Sequence, residues 1–246
     1  MLNEMIASGQ AVLTERLESV NERIRNSAER AGRDPASITL VAVSKTQPAE
    51  SVAALAAAGQ LDFGENRIEE AGPKMLGLQS DTRLRWHMIG HVQSRKARDV
   101  AHAGFAQVHS VDSLRLARRL SGFAQDAGRR QAVLLECNVS GEANKAGFMA
   151  SEPGKWSALL PEFEQIAALP GLDVRGLMTM APQTPRPDMA RPFFQRLAGL
   201  RDFLVLRMPG HSWPELSMGM TDDFEVAIEA GATLVRIGRA IFGERA

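Results

Sequence analysis

Residues 38–48 read ITLVAVSKTQP. The apolar, largely β-branched run from Ile38 to Val43 predicts a strand buried on both faces, as in a parallel sheet covered by helices. Ser44 and Lys45 follow, and Thr46, Gln47 and Pro48 predict a turn opening a helix. Lys45 therefore stands where a buried strand gives way to a loop. A lysine there is costly unless its amine reaches a cleft, is paired, or is used chemically. Desolvation lowers a lysine's pKa and makes the neutral, nucleophilic amine accessible, as Schiff-base chemistry requires. The bland alternative is an ordinary loop lysine at a strand end.

Outward from this stretch the chain alternates. Before it, Leu13, Leu17, Val20, Ile24 and Ala28 recur at spacings of three and four, predicting a helix from Asn3 to Ala31. After it, strands are predicted near residues 61–64, 85–90, 107–111, 132–139, 174–180, 215–218 and 233–237, with helices between them. Asp112 or Ser113 is expected to cap the helix that runs to about Ala127. Thr221 or Asp222 is expected to cap a later helix, with Glu225 completing a capping box. SGEANKAGF, residues 140–148, reads as a polar loop. About eight strand–helix units after one extra N-terminal helix predict an α/β protein, a single (β/α)8 TIM barrel over residues 1–246. An open doubly wound sheet is the competitor, weakened by the lack of a G-x-G-x-x-G after the first strand.

The chain has 246 residues, with Lys+Arg and Asp+Glu both at 29, so its formal charge is zero. Bulk electrostatics therefore give no reason to expect a nucleic-acid or membrane partner. The basic run Gln93 to Arg98 reads as a solvated helix face. A lone cysteine, Cys137, leaves no internal disulfide and fits a reducing compartment. The start MLNEMIASGQ does not read as a signal peptide, and no apolar run is long enough to span a bilayer, so the expected location is cytoplasmic. His87 and His91 are four apart, but the strand-like WHMIG context argues against a zinc helix, and no metal site is expected. Tyrosine is absent, so a phenolic acid or base within this chain is excluded.

In a barrel the ligand site lies at the C-terminal strand ends. VRIGRAIFG puts Arg236 and Gly238 where the last strand hands over to a short helix. Amides at a helix N-terminus bind anions, and barrels commonly hold phosphate after strands seven and eight. Ser217 adds a hydroxyl there. The alternative is a tight turn at Gly238 and a buried ion-pair partner in Arg236. Lys45 and a phosphate site together suggest a phosphorylated carbonyl ligand, a description that pyridoxal 5′-phosphate (PLP) meets.

The segments VAVSKTQP, FGEN, WHMIGHVQSRK, VHSVD, NVSGEANKAGF, GLMTMAP, LSMGMTDDFEVAI and VRIGRAIFG cover roughly residues 10–245. They resemble the pyridoxal phosphate homeostasis proteins, which are similar to the barrel domain of alanine racemase. The resemblance implies PLP bound covalently to Lys45, phosphate held by Ser217 and the backbone of Gly238 and Arg239, Arg236 at the pyridine nitrogen, and Asn66 near the cofactor. A permanent guanidinium at that nitrogen would keep it unprotonated and the ring a weak electron sink. Three departures stand out: Arg67 replaces an aromatic residue, Arg95 an asparagine, and Arg239 a small hydroxyl residue. The resemblance also implies a role in vitamin B6 balance and PLP supply, with PLP-dependent apo-enzymes as candidate recipients, from a monomer without robust turnover. A PLP-dependent amino-acid racemase is the alternative. It would need a second base opposite Lys45, which neither tyrosine nor a further domain after the barrel is expected to supply.

Overall fold

The computed structural model describes residues 2–244, with side chains from residue 9 onward. Met1, Arg245 and Ala246, the ends of the expected 1–246 domain, lie outside the described residues. In chain order the elements are α1 (Leu2–Arg30), β1 (Thr39–Val43), α2 (Ala49–Ala57), β2 (Asp62–Glu65), α3 (Ile68–Gly77), β3 (Arg85–Met88), α4 (Ala97–Ala103), β4 (Gln107–Val111), α5 (Leu114–Asp126), β5 (Gln131–Asn138) and β6 (Phe148–Met149). There follow α6 (Leu160–Ala167), β7 (Leu172–Met178), α7 (Arg191–Arg207), β8 (Glu215–Ser217), α8 (Phe224–Glu229), β9 (Leu234–Ile237) and α9 (Arg239–Phe242).

The strands run parallel in the order β4-β3-β2-β1-β9-β8-β7-β5, and β4 pairs with β5 to close the ring. This is the expected (β/α)8 barrel. The apolar runs are explained by strands covered on both sides. Leu40 and Ala42 join the core under the helices, with Val52 and Leu55 of α2 among its members. Val41 points the other way, and a Cβ added to Gly64 would stand 3.0 Å from its Cγ1. β1 pairs with β9 from Thr39↔Leu234 to Ala42↔Ile237, so the first and last strands share one seam. α1 packs across the helices of that seam, against α2, α8 and α9.

Local expectations fared unevenly. Ser113 caps α5, its hydroxyl accepting from the Leu116 amide at 3.3 Å. The capping box expected at α8 is absent. Its N-cap is Asp223, whose carboxylate turns back to accept from the Met220 amide at 2.6 Å. Glu225 instead bonds Arg23 of α1 at 2.8 Å. A tertiary partner for the carboxylate replaced the local one. The loop 140–148 is more ordered than expected. Asn138 binds it through the Gly141 amide at 2.9 Å and the Glu142 carbonyl at 2.8 Å. Its far end pairs with β5 as β6.

Burial against ion pairing decides what holds α1. Ile24 is buried and the Arg23–Glu225 pair is partly exposed. Ile24→Ala should cost about 2–5 kcal/mol of unfolding free energy, and Glu225→Ala about 0–1 kcal/mol, as measured by urea titration. Equal losses would contradict an apolar attachment.

Candidate functional site

Lys45, Asn66, Ser217, Arg236, Gly238 and Arg239 all lie at or just beyond the C-terminal ends of barrel strands. They come from β1, β2, β8 and β9, and β1 and β9 are neighbours. A Cβ built on Gly238 would lie 3.4 Å from the Cβ and the carbonyl oxygen of Val43, two residues before Lys45. The Lys45 turn and the head of α9 therefore share one corner of the mouth.

The Lys45 turn is braced from below. Thr46 adopts φ 65°, a conformation that a β-branched residue takes only under constraint, at a cost of about 1–3 kcal/mol. Its amide donates to Glu70. Lys74 of α3 sends its ammonium to the Ser44 carbonyl at 2.7 Å, to Glu65 at 2.8 Å and to Glu70 at 2.7 Å. The Ser44 hydroxyl donates to the same Glu65 oxygen at 2.7 Å. Burial raises the Glu65 carboxyl above its ordinary value, against the opposing bonds from Lys74 and Ser44. Its other oxygen, Oε2, is buried with no hydrogen-bond partner. Asn66 sits in the next loop, where Gly90 packs so closely that an added Cβ would lie 2.3 Å from the Asn66 carbonyl oxygen.

Arg236 is buried within the barrel. Its guanidinium donates to the Ser217 hydroxyl at 2.5 Å and to the Thr179 carbonyl at 2.9 Å. Burial lowers its pKa to about 10, and it remains a cation at neutral pH. Its hydrogen-bond partners are neutral oxygens, while the carboxyls of Glu136 and Asp223 favour its charge from farther away. Arg239 diverges from its neighbours. Its guanidinium turns outward to Asp222, with Glu244 at 3.6 Å, so only its backbone heads α9.

Sequence reasoning missed the groups that fill the barrel. Glu136 of β5 is buried, and burial, with Asp112 adding to it, raises its pKa to about 7. A chain of polar side chains from Asp62 through His87 and His109 reaches Ser217. Polar residues at every second position of otherwise apolar strands were the available signal. Cys137 is fully packed and burial pushes its thiol up, as a core residue should behave. Lys96 in the basic run pairs with Glu69 at 2.8 Å, consistent with a solvated face. No group of side chains suited to a metal ion occurs among the described residues, and no helix among them is long and apolar enough to cross a membrane.

Removing the Lys74 ammonium would strand the buried Glu65 charge. Lys74→Met should cost about 3–5 kcal/mol. A carboxyl whose folded pKa is raised contributes most below its unfolded pKa and loses that contribution as pH rises through the folded value. The deficit of Lys74→Met against the parent should therefore grow from pH 5 to pH 8 in urea titrations. A pH-independent deficit would contradict this account.

Residues 16–246 match the family model described as alanine racemase, N-terminal domain. The pyridoxal phosphate homeostasis protein of Pseudomonas aeruginosa is 44% identical over 236 residues, covering 96% of each chain. PipY of Synechococcus elongatus, solved with PLP bound, is 35% identical with a TM-score of 0.79, covering 94% of this chain and 100% of that one. Alanine racemase of Clostridium difficile, at 16% identity and a TM-score of 0.66, covers 95% of this chain and 56% of that one, and shares the fold.

Proposed function

The chain belongs to the pyridoxal phosphate homeostasis protein family, with the alanine racemase N-terminal barrel, and on that premise we propose that it binds PLP at the Lys45 corner and serves intracellular PLP supply. The observation that supports this reading is the close approach of Gly238, at the head of α9, to Val43 beneath the Lys45 turn, with Ser217 and Arg236 bonded to one another on β8 and β9. The donor set fits the ligand. PLP supplies, when bound, an aldehyde that reacts with amines and an electron-withdrawing pyridine ring. Lys45 is the amine. The Ser217 hydroxyl and the backbone amides of Gly238 and Arg239 hold the phosphate, where Gly238 has no side chain to crowd Val43. Arg236 keeps its charge beside the pyridine nitrogen and holds that nitrogen unprotonated. Asn66 would stand near the cofactor. Outward-turned Arg239 contributes its amide and not its guanidinium.

The reading includes one domain, a monomer working in the reducing cytoplasm, and hand-over of PLP to apo-enzymes without robust turnover. A balanced net charge and a single buried cysteine support that setting. One observation favours a racemase-like alternative. Glu136, a buried carboxyl titrating at about 7 near Arg236, has the pKa of a general acid–base group.

Purified protein loaded with PLP should absorb in the visible region, and Lys45→Ala should lose that band. Racemisation assayed across the amino acids should show little turnover. Robust turnover that disappears in Glu136→Gln would establish the enzyme reading and leave the cofactor assignment standing. A visible band unchanged in Lys45→Ala would refute the assignment of Lys45.

A further inference from the structure

The interior of a barrel of this type is ordinarily filled by layers of branched apolar side chains. Here a hydrogen-bonded file runs through it. Asp62 and Arg85 open β2 and β3, and Arg85 bonds the Asp62 carboxylate at 2.7 and 2.5 Å. The other end of the file is Ser217, the last residue of β8. Between them His87 Nε2 meets Asp62 Oδ1 at 3.0 Å, His87 Nδ1 meets His109 Nε2 at 3.0 Å, and His109 Nδ1 meets the Ser217 hydroxyl at 2.9 Å. His109 is fully buried.

With one hydrogen on each ring and Asp62 ionised, counting hydrogens gives the order of this file. Ser217 already accepts from the Arg236 guanidinium. With no ligand its own hydrogen goes to His109 Nδ1. His109 then carries hydrogen on Nε2 and gives it to His87 Nδ1, and His87 carries hydrogen on Nε2 and gives it to Asp62. This order satisfies every ring nitrogen. If Ser217 donates to a phosphate, the order must reverse. His109 must donate from Nδ1 to Ser217, so His87 must donate from Nδ1 to His109. The gap between His87 Nε2 and Asp62 still needs a hydrogen. The reversed file holds one proton more than the first.

We propose that the file Ser217–His109–His87–Asp62 couples the anchoring of a ligand phosphate at Ser217 to the uptake of one proton, stored on the His87–Asp62 pair. This rests on the phosphate reading of Ser217 given above. The proton enters at the mouth, from water or from a phosphate monoanion. The Ser217 hydrogen passes to His109 Nδ1, the His109 Nε2 hydrogen passes to His87 Nδ1, and the entering proton replaces the one Ser217 gave up. His109 stays neutral throughout, as its burial and the nearby charge of Arg236 favour. The new charge rests on His87 against Asp62. Burial works against the Asp62 charge, but the bonds from His87 and Arg85 outweigh it and hold its carboxyl below the usual range. The charged groups that bear on the file are Arg85 of β3, bonded to Asp62, and Arg236 of β9, bonded to Ser217, with the carboxyls of Glu136 and Asp223 acting on the Arg236 charge. The anchoring of a dianion in the barrel is thereby accompanied by a compensating positive charge that no surface residue supplies.

The probe is pyridoxine 5′-phosphate, which has the phosphate but no aldehyde, so condensation with Lys45 adds no proton changes. Titration calorimetry at pH 8, in two buffers of different ionisation enthalpy, should give an uptake of about one proton per bound ligand, the phosphate being a dianion on both sides. The same uptake in Glu136→Gln would remove that carboxyl as its source. Asp62→Asn takes away the charge that receives the imidazolium, and should weaken binding about tenfold at pH 8 and lower the uptake. Nitrogen-15 NMR of the unmutated protein gives the second readout. His109 should change from Nε2–H to Nδ1–H on binding, and His87 should become protonated on both nitrogens. Binding with no proton uptake, or with His109 still protonated on Nε2, would overturn the relay and leave the cofactor reading intact. Failure of the probe to bind would overturn the relay, while a visible band lost in Lys45→Ala would keep the cofactor reading standing.

Discussion

The pairing of β1 with β9 is the constraint on which the rest of the molecule depends. It closes the barrel, and it brings a turn from the start of the chain beside a helix head from its end. Lys45 and Gly238 are 193 positions apart in sequence, yet Gly238 abuts Val43 because the two strands are in register from Thr39 to Ala42. A slip of one residue in that register would send every side chain of β1 to the opposite face. The apolar alternation of β1, with Leu40 and Ala42 toward the helices and Val41 toward the axis, forbids such a slip. α1 reinforces the seam from outside by packing on the helices that flank it.

Polarity inside the barrel is a standing cost, and the structure meets it by pairing. Lys74 and Glu65 are nearly inaccessible to solvent and answer one another, with Ser44 and Glu70 completing the set. Arg236 is met by neutral oxygens and by nearby carboxylates that favour its charge. Replacing such groups by apolar ones of like shape often stabilises a protein. Their presence here is better explained by what they position than by what they add to stability. The brace under Ser44 and Thr46 holds a strained turn, and the strained turn carries Lys45. The cation at Arg236 and the hydroxyl at Ser217 form one bonded unit, so a ligand that meets one of them also senses the other.

The architecture was legible because it is written in runs of apolar residues broken at regular intervals. Lys45 and Gly238 were legible for a related reason: each is the wrong kind of residue for a strand interior, placed just where a strand ends. The pairings that tune the site were not legible. His87 and His109 lie on different strands, Lys74 and Glu65 on a helix and a strand, and nothing local in the sequence specifies that they meet. Glu225 matched a local capping pattern but pairs instead with Arg23, a partner 202 positions distant. β6 escaped notice because two residues of strand have no periodicity. Arg239 sits at a position that invites a phosphate, but Asp222 and Glu244 on the surface hold its guanidinium.

The account turns on which amine receives the cofactor. Protein incubated with PLP, reduced with borohydride and digested would carry the phosphopyridoxyl group at a position that peptide mass spectrometry can identify. The account predicts the group on Lys45, with Lys74, Lys96, Lys145 and Lys155 unmodified at stoichiometric ligand. The group on any of those four instead, with Lys45 unmodified, would contradict it.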